Sequence, residues 1–222
     1  MNLLSSTSIF SFFTLISRIL GYLRDILIAF VLGASIFADA FFVAFRLPNT
    51  FRRLFAEGTF NAAFIPSFTE ERIKNKKKGK KFADNVLSLL LLILIFVVTV
   101  VEIFTPYLVY IIAPGFIENG AKFDIAVEFT RITFPFLLFV SLSSYFSGIL
   151  NSNNKFAAAA AAPIILNIVL IFSLITSYYF NLNYAEQLSY GVTFAGIVQL
   201  LFLFYVTLKF YNPTLNLKIK IG

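Results

Sequence analysis

Three long stretches without a charged residue constrain this 222-residue chain more than any other feature. They cover residues 132–154, 156–185 and 187–208, and each is long enough to cross a bilayer, which requires about 20 mostly apolar residues. A fourth stretch, 85–117, is interrupted by Glu102 alone. Since 59% of the residues are hydrophobic and 13% are charged, against about 25% charged in soluble domains, the sequence predicts an integral membrane protein.

The first 56 residues are also apolar, but charged side chains interrupt them. The turn signal Gly33-Ala34-Ser35 divides them into two segments of spanning length. We therefore predict an all-α integral membrane protein with six transmembrane helices, near residues 7–32, 36–56, 84–112, 125–150, 157–180 and 187–209. Six spans leave no room for a soluble catalytic domain.

The composition excludes several kinds of chemistry. The chain contains no Cys and no His. Disulfides, zinc–thiolate sites, iron–sulfur clusters and a Ser-His-Asp triad are therefore excluded. We expect no catalytic residues, no metal site and no cofactor.

The charges outside the predicted spans are distributed unevenly. Residues 57–83 form a basic connection, which predicts a solvated cytoplasmic loop. A nucleic-acid-binding arm would interleave aromatic residues, and residues 73–81 contain none, so no nucleic-acid partner is expected. The predicted outer connections carry one basic residue, Lys122, and three acidic ones. This bias predicts a cytoplasmic N-terminus.

The two leading helices each carry a polar stripe. On the first helix, residues at spacings of three and four form the stripe: Ser11, Thr14, Arg18, Gly21 and Asp25. On the second helix, the stripe comprises Asp39, Arg46, Asn49 and Arg53. Arg24 lies beside the first stripe, and a kink at Pro48 would re-aim Arg52 toward the second.

The number of arginines on these helices decides how they are interpreted. A charge at the centre of a bilayer costs about 2.5–3.5 kcal/mol, and five Arg face only two Asp here. Arg52 and Arg53 lie near the cytoplasmic end and can snorkel. A water-filled cavity that binds an anion explains Arg18 and Arg24, and the planar guanidinium fork suits phosphate. Salt-bridged packing with cytoplasmic anchoring is the alternative.

Two further polar features are weaker. Pro163 and Asn167 on the fifth predicted helix indicate a kink beside a hydrogen-bonding group, with ordinary helix packing as the alternative. Gln199 on the sixth predicted helix is a candidate for lining the interior.

Four segments resemble motifs of the MurJ/MviN lipid II flippases of the multidrug/oligosaccharidyl-lipid/polysaccharide exporter superfamily. They are Ser17–Asp25, Ala38–Asn49, Arg52–Pro66 and Ala113–Phe116. The resemblance runs through all six predicted spans. It implies a bacterial inner-membrane protein of about fourteen helices with two six-helix lobes, of which this chain resembles the N-terminal lobe. The C-terminal lobe is absent, and we expect either a truncated reading of a longer gene or the pairing of two copies.

The resemblance also implies roles for individual residues. Arg18, Arg24 and Arg52 match cavity arginines that hold the diphosphate of lipid II, and Asp39 matches a functional acid. Ser17 matches a polar position beside the first arginine, and Pro163 matches a functional proline. The family's second lobe supplies a further cavity arginine, a groove for the lipid tail and a proposed sodium site, none of which occurs in this chain.

These observations lead to one hypothesis and two alternatives. The hypothesis is a non-enzymatic flippase that moves lipid II from the inner to the outer leaflet by alternating access, driven by the membrane potential or a monovalent cation. Its expected partners are lipid II, membrane lipids and the missing C-terminal lobe in cis. The first alternative is a flippase for another polyprenyl-diphosphate-linked glycan or another exporter of the superfamily. The second is a non-transporting cell-wall scaffold.

Overall fold

The computed structural model describes residues 3–56 and 59–216, and within helices it describes the side chains of residues 8–51 and 60–216. These residues form nine α-helices and one short 3-10 helix, Pro114–Glu118, and no strand occurs among them. The α-helices are α1 (Leu3–Leu32), α2 (Ile36–Ala56), α3 (Thr59–Lys74), α4 (Lys76–Ile103), α5 (Thr105–Ile112), α6 (Gly120–Thr133), α7 (Phe136–Ser152), α8 (Phe156–Phe180) and α9 (Tyr184–Leu208).

Local sequence explains the turn between α1 and α2. Gly33 has a φ of +54°, a left-handed conformation that glycine adopts without steric cost. The Ser35 hydroxyl accepts a hydrogen bond from the backbone N–H of Ala38 at 3.1 Å, which caps the start of α2. The break therefore coincides with the Gly33-Ala34-Ser35 signal in the sequence.

Two segments that we expected to be single helices are each divided by a proline. The helix expected near 84–112 is interrupted at Phe104, between α4 and α5. Pro106 lacks an N–H and its ring clashes with the carbonyl four residues earlier, so the regular helix ends before it. Pro135 separates α6 from α7 in the same way, within the span expected near 125–150.

The connection expected as a solvated basic loop is mostly helical. Its described part, residues 59–83, contains the whole of α3 and the beginning of α4. Phe64 and Phe68 of α3 are buried, and the Phe64 ring lies 5.2 Å from the ring of Tyr145 on α7. Aromatic residues before the lysine cluster thus dock this segment on the bundle, while Lys76, Lys77 and Lys78 are exposed.

Four helical stretches among the described residues are long and apolar enough to cross a membrane. They are α4, α6 together with α7, α8 and α9. The helices α1 and α2 are not among the four, and they carry Arg18, Arg24, Asp39 and Arg46 within their described parts. The protein is therefore an all-helical membrane protein with four candidate spans among the residues that the structure describes.

Buried apolar side chains form two clusters. One joins the end of α1 and the beginnings of α2, α7 and α9 to α6 and α8, and it includes Ile28, Phe41 and Leu188. The other joins α3 and α4 to the later part of α7 and to α9, and includes Phe64, Ile149 and Leu203. These clusters hold the helices around the cavity described below.

Candidate functional site

A cavity of about 840 Å³ lies among six helices. Side chains from α1, α2, α3, α7, α8 and α9 line it. The volume falls within the roughly 300–1,000 Å³ typical of ligand-binding clefts. Arg18 and Arg24 supply the charges in the described lining, so the cavity is basic.

Arg24 is held by two neighbours. Its Nε and Nη2 donate to Asp25 Oδ1 at 2.9 and 2.7 Å, and its Nη1 donates to Asn167 Oδ1 on α8 at 2.7 Å. The Asn167 amide in turn donates to the backbone carbonyl of Ser17 at 2.9 Å, which fixes its orientation. The Arg24 side chain is only 16% exposed, so the guanidinium is fixed in place at the cavity surface.

Arg18 differs from Arg24 in its exposure and in its hydrogen bonding. It lines the same cavity six residues earlier on α1, and it is exposed. It forms no hydrogen bond or ion pair with any side chain that the structure describes. A guanidinium presents five N–H donors, so Arg18 retains its full capacity to bind an anion.

Four other residues predicted from the sequence meet at this cavity: Ser17, Gly21, Asn49 and Pro163. A Cβ atom added at Gly21 would lie 3.6 Å from Asn167 Nδ2, so this position on α1 faces the amide that holds Arg24. Asn167 and Gln199, the two weaker candidates, also line the cavity.

Two of the remaining predicted residues, Asp39 and Pro48, lie outside the described lining of the cavity. Asp39 does not line the cavity; it is exposed, and it accepts a hydrogen bond from Lys122 of α6. Pro48 is buried within α2 and is absent from the described lining. The side chains of Arg52 and Arg53 lie outside the described residues. Asp39 therefore does not converge with Arg18 and Arg24.

Five polar residues of the lining were not predicted from the sequence. They are Asn61 of α3 and Ser143, Ser144, Ser147 and Asn151 of α7. A signal for part of this set is present, because residues 144, 147 and 151 recur at the three- and four-residue spacing of one helix face. The stripe carries no charge, so it does not stand out within an apolar helix as an arginine does.

Comparison with known proteins yields a consistent result. The lipid II flippase MurJ family matches residues 28–221. A Rickettsia prowazekii protein named "probable lipid II flippase MurJ" is 42% identical over 208 residues, which are 92% of this chain and 40% of that protein. The Burkholderia cenocepacia protein "lipid II flippase MurJ" is 41% identical over 172 residues, 77% of this chain and 33% of that protein.

A solved structure shows the same arrangement of helices. The structure titled "Lipid II flippase MurJ, inward closed conformation" superimposes with a TM-score of 0.80 at 28% identity. It covers 95% of this chain and 43% of the solved chain. This chain therefore spans 40% of the length of the Rickettsia prowazekii relative and 43% of that of the solved chain.

Proposed function

The chain belongs to the lipid II flippase MurJ family, and from that premise we propose that its protein moves lipid II from the inner to the outer leaflet of the bacterial inner membrane. The family and the four apolar helices identify an integral membrane protein of that membrane. No covalent bond changes in the proposed process, so the protein acts as a transporter rather than as an enzyme.

The basic cavity is the observation that carries this proposal. Carrying a diphosphate across hydrocarbon requires that its lost hydration be replaced, and Arg forms strong charge-assisted hydrogen bonds with phosphate oxygens. Arg18 offers unpaired donors, and Arg24 offers a guanidinium held in one orientation by Asp25 and Asn167. In this proposal the head group enters the cavity while the polyprenyl tail stays in the bilayer.

The proposed architecture is one six-helix lobe of a two-lobed transporter. In this architecture α1 and α2 cross the membrane together with the four apolar stretches, and the N-terminus is cytoplasmic. A second lobe of the same protein completes the site. Rocking of the lobes about the cavity then provides alternating access. Transmembrane voltage is a candidate for resetting the arginine-lined cavity, because moving one charge across 100 mV is worth about 2.3 kcal/mol.

Complementation tests this function. The full reading frame that encodes the chain is expressed in a bacterium depleted of its own lipid II flippase. We expect the parent gene to restore growth and Arg18→Ala or Arg24→Ala to abolish rescue at unchanged membrane levels. Arg131→Ala, an equal change at an exposed position of α6 outside this cavity, is the matched control and retains rescue.

Full rescue by both cavity variants would contradict the proposed role of the cavity, and would favour the non-transporting scaffold. Rescue of a strain that lacks a different polyprenyl-diphosphate flippase, without rescue of the lipid II-depleted strain, would assign a different glycan as the cargo.

A further inference from the structure

Neutral polar side chains, separate from the arginines, form a second part of the cavity wall. Five of its buried polar atoms have no hydrogen-bond partner within the described protein: Asn61 Oδ1, Ser143 Oγ, Ser144 Oγ, Asn151 Oδ1 and Gln199 Oε1. We call these five side chains the neutral wall. Only two other buried side-chain atoms among the described residues share this condition, those of Glu102 and Ser141.

The burial of the neutral wall makes this clustering meaningful. Ser143, Ser144 and Gln199 are 1%, 3% and 6% exposed. A polar group that is buried without a partner lowers the stability of the fold, and native proteins pair nearly all such groups. The concentration of unpaired groups in one cavity therefore points to a ligand that completes their hydrogen bonds.

The helices place the two kinds of side chain on different parts of the lining. Arg18 and Arg24 lie on α1, which packs chiefly on α8. The neutral wall lies on α3, α7 and α9, and α7 packs on both of the other two helices. Gly148 of α7 allows α3 to approach closely, because a Cβ there would lie 2.7 Å from Asn61 Oδ1. Asn61, which lines the cavity, therefore packs closely against the α7 backbone.

The chemistry of the neutral wall differs from that of the arginines. Three of the five atoms are amide oxygens, which accept hydrogen bonds and cannot donate them. Ionised phosphate oxygens are also acceptors and cannot satisfy these three amide oxygens, whereas the hydroxyls of Ser143 and Ser144 can donate as well as accept. The complementary groups are the O–H groups of sugars and the N–H groups of amides.

We propose that the neutral wall binds the hydroxyl- and amide-bearing sugar-peptide of the cargo while Arg18 and Arg24 bind its diphosphate. This inference rests on the proposed function and adds to it the part of the substrate that each side of the cavity recognises. A polyprenyl diphosphate without sugars would contact only the arginines.

Two lipid probes separate the contribution of the arginines to binding from that of the neutral wall. The purified product of the full reading frame, in detergent, is titrated with undecaprenyl diphosphate and with lipid II, and dissociation constants are measured. The variants are Gln199→Leu and the double change Ser143→Ala with Ser144→Ala. Ser141→Ala is the matched control, since Ser141 lies on the same helix, is buried and has an unpaired hydroxyl, but does not line the cavity.

We expect the neutral-wall variants to weaken lipid II binding about two- to tenfold for each lost hydrogen bond. Their affinity for undecaprenyl diphosphate stays within about twofold of the parent value, which also shows that the variants are folded. Arg24→Ala weakens both probes by a similar factor, and Ser141→Ala changes neither.

Equal weakening of both probes, or of neither, by the neutral-wall variants would overturn the inference. The proposed function would survive that result if Arg24→Ala still weakened both probes. If the parent protein bound neither undecaprenyl diphosphate nor lipid II, that result would contradict the proposed function, and the inference with it.

Discussion

At the scale of single residues, Asp84 of α4 lies at the centre of a hydrogen-bond network outside the cavity. It is buried, and it accepts hydrogen bonds from the Tyr211 hydroxyl, from the Thr214 backbone N–H at 2.9 Å and from Lys80 Nζ at 3.1 Å. The Tyr145 hydroxyl donates to the Ala83 carbonyl at 3.0 Å and contacts the Tyr211 hydroxyl. These bonds attach the segment that follows α9 to the start of α4.

The protonation of Tyr211 makes this attachment dependent on pH. Burial raises the pKa of the Tyr211 hydroxyl above its ordinary value, and the neighbouring Tyr145 and Asp84 raise it further. An unfolded tyrosine ionises near pH 10, whereas folded Tyr211 stays protonated and continues to donate to Asp84. The stabilisation is therefore complete below about pH 10 and declines as the pH rises above that value.

The first prediction concerns Tyr211→Phe. At neutral pH we expect it to lower the free energy of unfolding by about 1.5–3 kcal/mol, the contribution of a hydrogen bond to a charged group. Above pH 10 its stability should fall less steeply than that of the parent chain, by up to about 1.4 kcal/mol per pH unit. Denaturant unfolding in detergent between pH 8 and pH 11 measures both effects.

Tyr178→Phe is the control for this experiment, because Tyr178 is exposed on α8 and the change should leave stability and its pH slope as in the parent. Identical pH slopes for the parent and Tyr211→Phe would contradict the role assigned to the buried hydroxyl.

At the scale of helices, α3 is a case in which the nearby lysines favour a solvated segment but tertiary contacts dock the segment on the bundle. The cluster of lysines after residue 73 predicts a solvated connection, and those lysines are indeed exposed. The aromatic rings on the apolar face of α3 nevertheless stack on one another: the ring centroids of Phe60 and Phe68 lie 5.4 and 5.6 Å from that of Phe64. Docking of α3 also brings Asn61 to the cavity.

The second prediction tests that docking. Phe64→Ala should destabilise the protein by about 3–5 kcal/mol, because it removes a buried ring and leaves a cavity against Tyr145. Thermal unfolding in detergent gives the comparison. Ile73→Ala, which truncates an exposed apolar side chain on the same helix, should change stability little. Equal effects of the two substitutions would mean that α3 is not held by its buried aromatic face.

At the scale of the whole molecule, the distribution of charge bears on how the helices cross the membrane. The basic residues cluster near one set of helix ends, around Lys78 and Lys155, and positive residues favour the cytoplasmic side. The charges of α1 and α2 weaken their apolar signal, although Phe12, Tyr22 and Phe30 are exposed as lipid-facing side chains would be. The proposed six spans with a cytoplasmic N-terminus would place Ala34, Asn119 and Asn181 together on the outer side.

The third prediction uses the absence of cysteine in this chain. Single cysteines replace Ala34, Lys78, Asn119, Asn153 and Asn181 in turn, and intact cells are treated with a membrane-impermeant maleimide. We expect labelling at positions 34, 119 and 181, and labelling at 78 and 153 only after the membrane is permeabilised. The parent chain, which has no thiol, is the blank.

Two results would contradict the proposed topology. Labelling at position 78 in intact cells would reverse the orientation of the N-terminus. Protection of position 34 with labelling at 119 and 181 would mean that α1 and α2 do not both cross the membrane.

The sequence by itself determined the membrane environment, the helical class, the turn at Gly33 and the family, because each depends on residue type and on neighbours along the chain. Arg18 and Arg24 could be singled out from the sequence as candidates, since a charge within an apolar helix is conspicuous, and both line the cavity. Only the tertiary structure decided that Asp39 contacts Lys122, 83 residues away, and that Asn61, Ser144 and Gln199 meet in one cavity. Those contacts join helices that are distant in sequence, and close packing of several faces at once selects them, which no local pattern records.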